Sequence, residues 1–73
     1  MKIHEILNKR WMIEIIHHHT NISKPTLTKL KSRYNVSASI KIRLYKYLVR
    51  NDYIDSKEVK LLNLFSECTR EKE

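Results

Sequence analysis

A chain of 73 residues with 15 Lys and Arg against 8 Asp and Glu, net charge +7, is one small domain with no room for an elaborate enclosed active site. Glycine is absent, proline occurs once and Cys68 is the single cysteine, which disfavours sheet hairpins and excludes an internal disulfide, leaving helices as the building material. No segment approaches a membrane span and no signal-like apolar run opens the chain, so a soluble cytoplasmic protein is expected.

Ile3, Ile6, Leu7 and Trp11 fall at helical spacing and predict a first amphipathic helix over Ile3 to Arg10, with Trp11 as a core anchor. A second helix is expected over Met12 to His19, with Ile13 and Ile16 facing inward. The join carries neither Gly nor Pro, so one continuous or bent helix remains open. Asn21 tolerates a left-handed backbone and can close the second helix. Ser23 then caps a third helix, Pro25 sits in its first turn, and Leu27 and Leu30 supply its buried face. Ser37 can cap a fourth helix running to about Arg50, whose core face is Ile40, Leu44 and Leu48. Asp55 followed by Glu58 forms a capping-box pattern for a fifth helix with Val59, Leu62, Phe65 and Cys68 as its stripe. The expected fold is therefore all-α and compact, a single five-helix domain over 1–73, its core spanning about 3–66 and its tail 69–73 frayed.

Charge is distributed unevenly along these elements. No Asp or Glu stands between Ile15 and Asn51, where Lys24, Lys29, Lys31, Arg33, Lys41, Arg43, Lys46 and Arg50 all lie. From Asp52 onward six acids face Lys57, Lys60, Arg70 and Lys72. Such a footprint favours a polyanion, nucleic acid first. The run His17-His18-His19 is not expected to hold a metal, because consecutive helical residues point about 100° apart. These histidines read as surface and boundary side chains. No cofactor or small-molecule substrate is expected, and an enzyme is not: the basic region has no paired carboxylates, no Gly-rich phosphate loop exists, and Cys68 lies in an acidic tail.

A short helix, a tight turn and a capped helix dense in Lys and Thr, all inside the acid-free interval, have the layout of a helix-turn-helix. On this reading Ser23, Lys24, Pro25, Thr26, Thr28 and Lys29 form the surface that meets double-stranded DNA or a partner. Lysine and threonine can read base edges, and Pro25 offers apolar contact. Lys31, Arg33, Lys41, Arg43 and Lys46 would bind phosphates, adding affinity but little sequence information.

The stretch "NISKPTLTKLKSRYNVSASIKIRLYKYL" resembles the central part of Cro/repressor-type (XRE-like) helix-turn-helix proteins of Gram-positive bacteria and their phages. The likeness rests on "IS", "TLTKL", "NVS" and "KYL" and covers roughly residues 13–50. It implies a five-helix fold that docks its third helix in the major groove. The chain departs from the pattern at Arg33, where glycine is usual, at Lys41, where leucine is usual, at Tyr45, where a small residue is usual, and at His17, where alanine is usual. Ile42, Tyr45 and Val49 lie off the main face of the fourth helix, either as broader core contacts or as a protein interface. Two roles follow. One is a small DNA-binding regulator of a phage or mobile-element switch; the other is a modulator or antirepressor that binds the repressor protein. A homodimer would suit two half-sites.

Overall fold

The computed structural model describes residues 1–71 and forms five helices, with no β-strand among those residues. They are α1 (Ile3–Leu7), α2 (Met12–Thr20), α3 (Lys24–Lys31), α4 (Ala38–Arg50) and α5 (Leu61–Leu64). The expected all-α class is the class observed. The radius of gyration, 11.1 Å, matches the ~11 Å of a folded chain this long. Helix α1 lies against α3, α2 packs on both, and α4 bridges α2 and α5. Ile3, Leu7, Ile16, Leu27, Leu30, Leu44, Leu48 and Leu64 are fully buried, so every helix contributes a side chain to one core. Each such burial stabilises by roughly 1.5–3 kcal/mol.

The joints explain the boundaries. Helix α1 ends at Leu7, not Arg10, and the chain turns through Trp11 at φ 70°. That left-handed residue breaks any continuous α1–α2 helix and resets the register so that Met12 and Ile16 face the core. Trp11 is thereby carried outward and is 62% exposed. The expectation of a core tryptophan is corrected: its helical spacing held only as long as the helix did.

The α2–α3 turn forms as its residues require. Asn21 adopts φ 64°, and its N–H donates to the His17 carbonyl at 3.0 Å. Ser23 caps α3 by accepting from the Thr26 N–H at 3.4 Å. The hydroxyl of Thr20 donates to the Ile16 carbonyl at 2.7 Å and accepts from the Ile22 N–H at 3.3 Å. Ile22 itself is buried. At its other end α3 closes in a Schellman arrangement: the Arg33 N–H reaches the Leu30 carbonyl and the Tyr34 N–H reaches the Lys29 carbonyl at 2.8 Å. Arg33 holds φ 68°, the conformation for which glycine is usual, so the departure in sequence is not a departure in backbone.

Helix α4 runs as expected from Ser37, although the Ser37 hydroxyl lies against Ser39 at 3.2 Å and makes no cap bond. The fifth helix is the largest correction. The Asp55 carboxylate accepts from the Lys57 N–H at 2.8 Å, and its carbonyl from the Val59 N–H at 2.8 Å. This local turn competes successfully with helix initiation, and α5 begins only at Leu61. Phe65 and Cys68 are buried as expected, but the altered register buries Leu64 in place of Leu62, which is 83% exposed. Residues 72–73 of the expected frayed tail lie outside the described residues. Arg70, within it, is paired: its N–H donates to the Arg33 carbonyl at 3.1 Å and its carbonyl accepts from the Asn35 N–H at 2.9 Å. Its guanidinium lies over the Tyr34 ring at 5.2 Å and donates to the Ser32 carbonyl at 3.3 Å.

Candidate nucleic-acid interface

Helix α3 is short, capped and held from behind by Leu27 and Leu30, whose burial fixes which face meets solvent. Lys24, Pro25, Thr28 and Lys31 are exposed, with Lys24, Thr28 and Lys31 spaced i, i+4, i+7 along one side. Thr26 and Lys29 are half-buried. The side chains of Ser23 and Thr26 meet each other at 2.7 Å, so they complete the cap before they can meet a ligand. Lys24 pairs with Glu14 of α2 at 3.0 Å, both groups about half exposed. A pair this solvated is worth under about 1 kcal/mol and yields readily to a stronger anion.

Beside the outer side of α3 lies a shallow depression of about 470 Å³, lined by His4, Glu5 and Asn8 of α1 and its margin and by Thr28, Lys31, Ser32 and Arg33. Three of the expected contact residues, Thr28, Lys31 and Arg33, thus share one concave surface. The Arg33 guanidinium reaches His4 Nε2 at 3.5 Å, which orients it across that surface.

The cations of α4 are placed otherwise. Arg43 donates to the Thr20 carbonyl, satisfying the C-terminal end of α2. Lys41 is half-buried and lines a separate depression of about 330 Å³ with Ala38, Ile42, Leu61, Leu62, Phe65 and Ser66. Lys46 is exposed. Of the three residues expected at a protein interface, only Ile42 is exposed, at 41%. Tyr45 donates its hydroxyl to the Val59 carbonyl at 2.7 Å, and both Tyr45 and Val49 pack against the core. Leu62, which reasoning from sequence placed inside, takes their place beside Ile42.

The histidines are not idle neighbours of the turn. His17 is half-buried, and its Nδ1 lies 2.7 Å from the Ile22 carbonyl; as the protonated nitrogen it donates there and ties α2 to the segment entering α3. His19 stacks on Tyr47 at 5.9 Å, and Tyr47 tilts against Tyr53 at 6.1 Å. Burial raises the Tyr47 phenol above its ordinary value, with Tyr53 adding to the effect. No group of three or more His, Cys, Asp or Glu among the described residues could hold a metal ion. The thiol of Cys68 is buried and its pKa is raised mainly by that burial, the opposite of activation. No helix among the described residues is long and apolar enough to cross a membrane. No family model, curated protein or solved structure matches this chain.

Proposed function

We propose that the chain is a small helix-turn-helix regulator that binds double-stranded DNA, with α3 as its recognition helix in the major groove. The observation that carries the reading is the exposed side of α3, where Lys24, Thr28 and Lys31 are aligned and Thr28 and Lys31 join Arg33 on one shallow surface. Threonine and lysine supply donors and a methyl group for base edges, and the flanking cations neutralise phosphates. The resemblance of residues 13–50 to Cro/repressor-type proteins agrees with this reading and suggests a phage or mobile-element switch as its setting. Binding, not catalysis, is the role these residues fit.

A second reading is favoured by a different feature. Ile42 and Leu62 expose apolar surface at the groove between α4 and α5, a place suited to a protein partner. A repressor protein bound there would make the chain a modulator or antirepressor, and a second copy bound there would make it a DNA-binding homodimer. Fluorescence anisotropy with labelled duplexes from the chain's own promoter region, with scrambled competitor, separates the readings. Binding that survives the competitor supports the operator reader. Binding lost equally to scrambled DNA, with a complex forming instead on added repressor, supports the modulator.

A further inference from the structure

Trp11 has no explanation in the fold. It is the chain's only tryptophan, it is 62% exposed, and it stands at φ 70°. A bulky residue in the left-handed region is strained, and Asn or Gly would be more comfortable there. Neither core packing nor local backbone preference selects an indole at this position. Its surroundings do suggest a use. The Arg10 guanidinium lies 5.2 Å from the ring centroid, and Lys9, Arg10, Trp11 and Lys31 line one depression of about 320 Å³. The single acid on its wall, Glu14, is paired with Lys24 at 3.0 Å, so the depression remains net positive. Exposed Trp and Arg side by side are the residue types that dominate binding hot spots.

We infer that the α1–α2 junction is a second contact site, a clamp on one sugar–phosphate strand of duplex DNA. In this clamp Trp11 covers a deoxyribose and Lys9, Arg10 and Lys31 neutralise the flanking phosphates. The inference rests on the reading of α3 as a DNA-contacting helix, and geometry joins the two. Lys31 lines this depression and also the one that holds Thr28 and Arg33, so a single ligand can lie across both. A nucleic-acid strand alternates apolar sugar with evenly spaced charge, which an aromatic surface set among cations matches. Arg10 already covers part of the indole, so sugar packing against the ring's free surface fits better than sandwiching a flipped base.

The single tryptophan makes the test direct. Labelled promoter duplex is titrated with the full chain while DNA anisotropy and Trp11 emission are followed together, with acrylamide as quencher. The expected result is that Trp11 becomes at least twofold less accessible to acrylamide at the same duplex concentration that saturates anisotropy. Trp11→Ala should weaken duplex binding roughly tenfold with an unchanged helical circular dichroism spectrum, and Trp11→Phe should recover most of it. Replacing Lys9 and Arg10 together by Ala should reduce the salt slope of log K by about two units. Saturating anisotropy with unchanged Trp11 accessibility would overturn the clamp and leave the α3 reading intact. No duplex binding at all would overturn both. Protection of Trp11 by poly-glutamate but not by duplex would assign the site to an acidic protein instead.

Discussion

Helices α3 and α4 look alike in sequence: both are basic, both follow a serine, and both lie in the acid-free interval. They use their charge differently. On α3, Lys24, Thr28 and Lys31 stand in solvent along one side, and the last two meet Arg33 at a shallow surface. On α4, Arg43 holds the end of α2, and Lys41 lines an apolar groove beside α5. Net charge in a sequence therefore says that a polyanion is a fitting partner without saying which cations would meet it. Some of them are structural.

The largest expected effect removes what the two helices share. Leu30→Ala and Leu44→Ala each empty a fully buried site, one under each helix, and should each lower stability by about 2–5 kcal/mol. Urea denaturation followed by circular dichroism should show one transition for either variant. Two separate transitions would mean that α3 and α4 do not share a core.

The next pair of substitutions sharpens the contrast in charge. Lys31→Ala should reduce the salt slope of duplex binding by about one unit while barely moving stability. Arg43→Ala should do the reverse, lowering stability by about 1 kcal/mol through the lost bond to the Thr20 carbonyl and leaving the slope alone. If Arg43→Ala changes the slope and Lys31→Ala does not, the division between the helices has been drawn the wrong way round.

A smaller effect concerns the end of α3. Arg33→Gly relieves a side chain held at φ 68° and should raise stability by up to about 1 kcal/mol. The same variant should weaken duplex binding, because Arg33 is one of the cations on the α3 surface. Thermal unfolding and anisotropy on one sample would expose any failure of this opposite movement.

The smallest effect is alkaline. The Tyr47 pKa is raised by burial and by Tyr53, so the folded state disfavours the phenolate. Its contribution is fully present below the unfolded value of about 10 and is lost as pH rises through the folded one. Stability should fall above about pH 10, and Tyr47→Phe should make that fall shallower. An unchanged slope in Tyr47→Phe would place the alkaline loss on other groups.

Much of this architecture was legible in the sequence where a residue's own chemistry decides its backbone. Asn21 turned left-handed and Ser23 capped α3 as their residue types require, and α4 kept its expected bounds although Ser37 gives it no side-chain cap. Misreadings came where two local preferences compete or where the partner is distant. Asp55 and Glu58 fit a capping box, but an Asp whose side chain bonds the N–H two residues on also fits a turn, and the turn prevailed. Trp11 continued an apolar spacing that became meaningless once the helix ended at Leu7. The Tyr45–Val59 and Arg33–Arg70 bonds join residues far apart in the chain, and no spacing rule could have paired them. For the site, Thr28, Lys31 and Arg33 share one depression, a juxtaposition that spacing along α3 alone did not give. The bond from Arg43 to the end of α2 could not be read, because a cation that satisfies a helix end and one that awaits a phosphate are the same letter in a sequence. Left-handed positions without glycine were a signal partly seen at Asn21 and missed at Trp11.

The most direct test of α3 as the contact helix is amide chemical-shift mapping of the labelled protein on addition of promoter duplex. The expected result is that shifts concentrate at residues 23–33, with a second group at Lys9, Arg10 and Trp11, and that α4 and the groove beside α5 are little changed. Shifts confined to the surroundings of Ile42 and Leu62, or no shifts at saturating duplex, would contradict it.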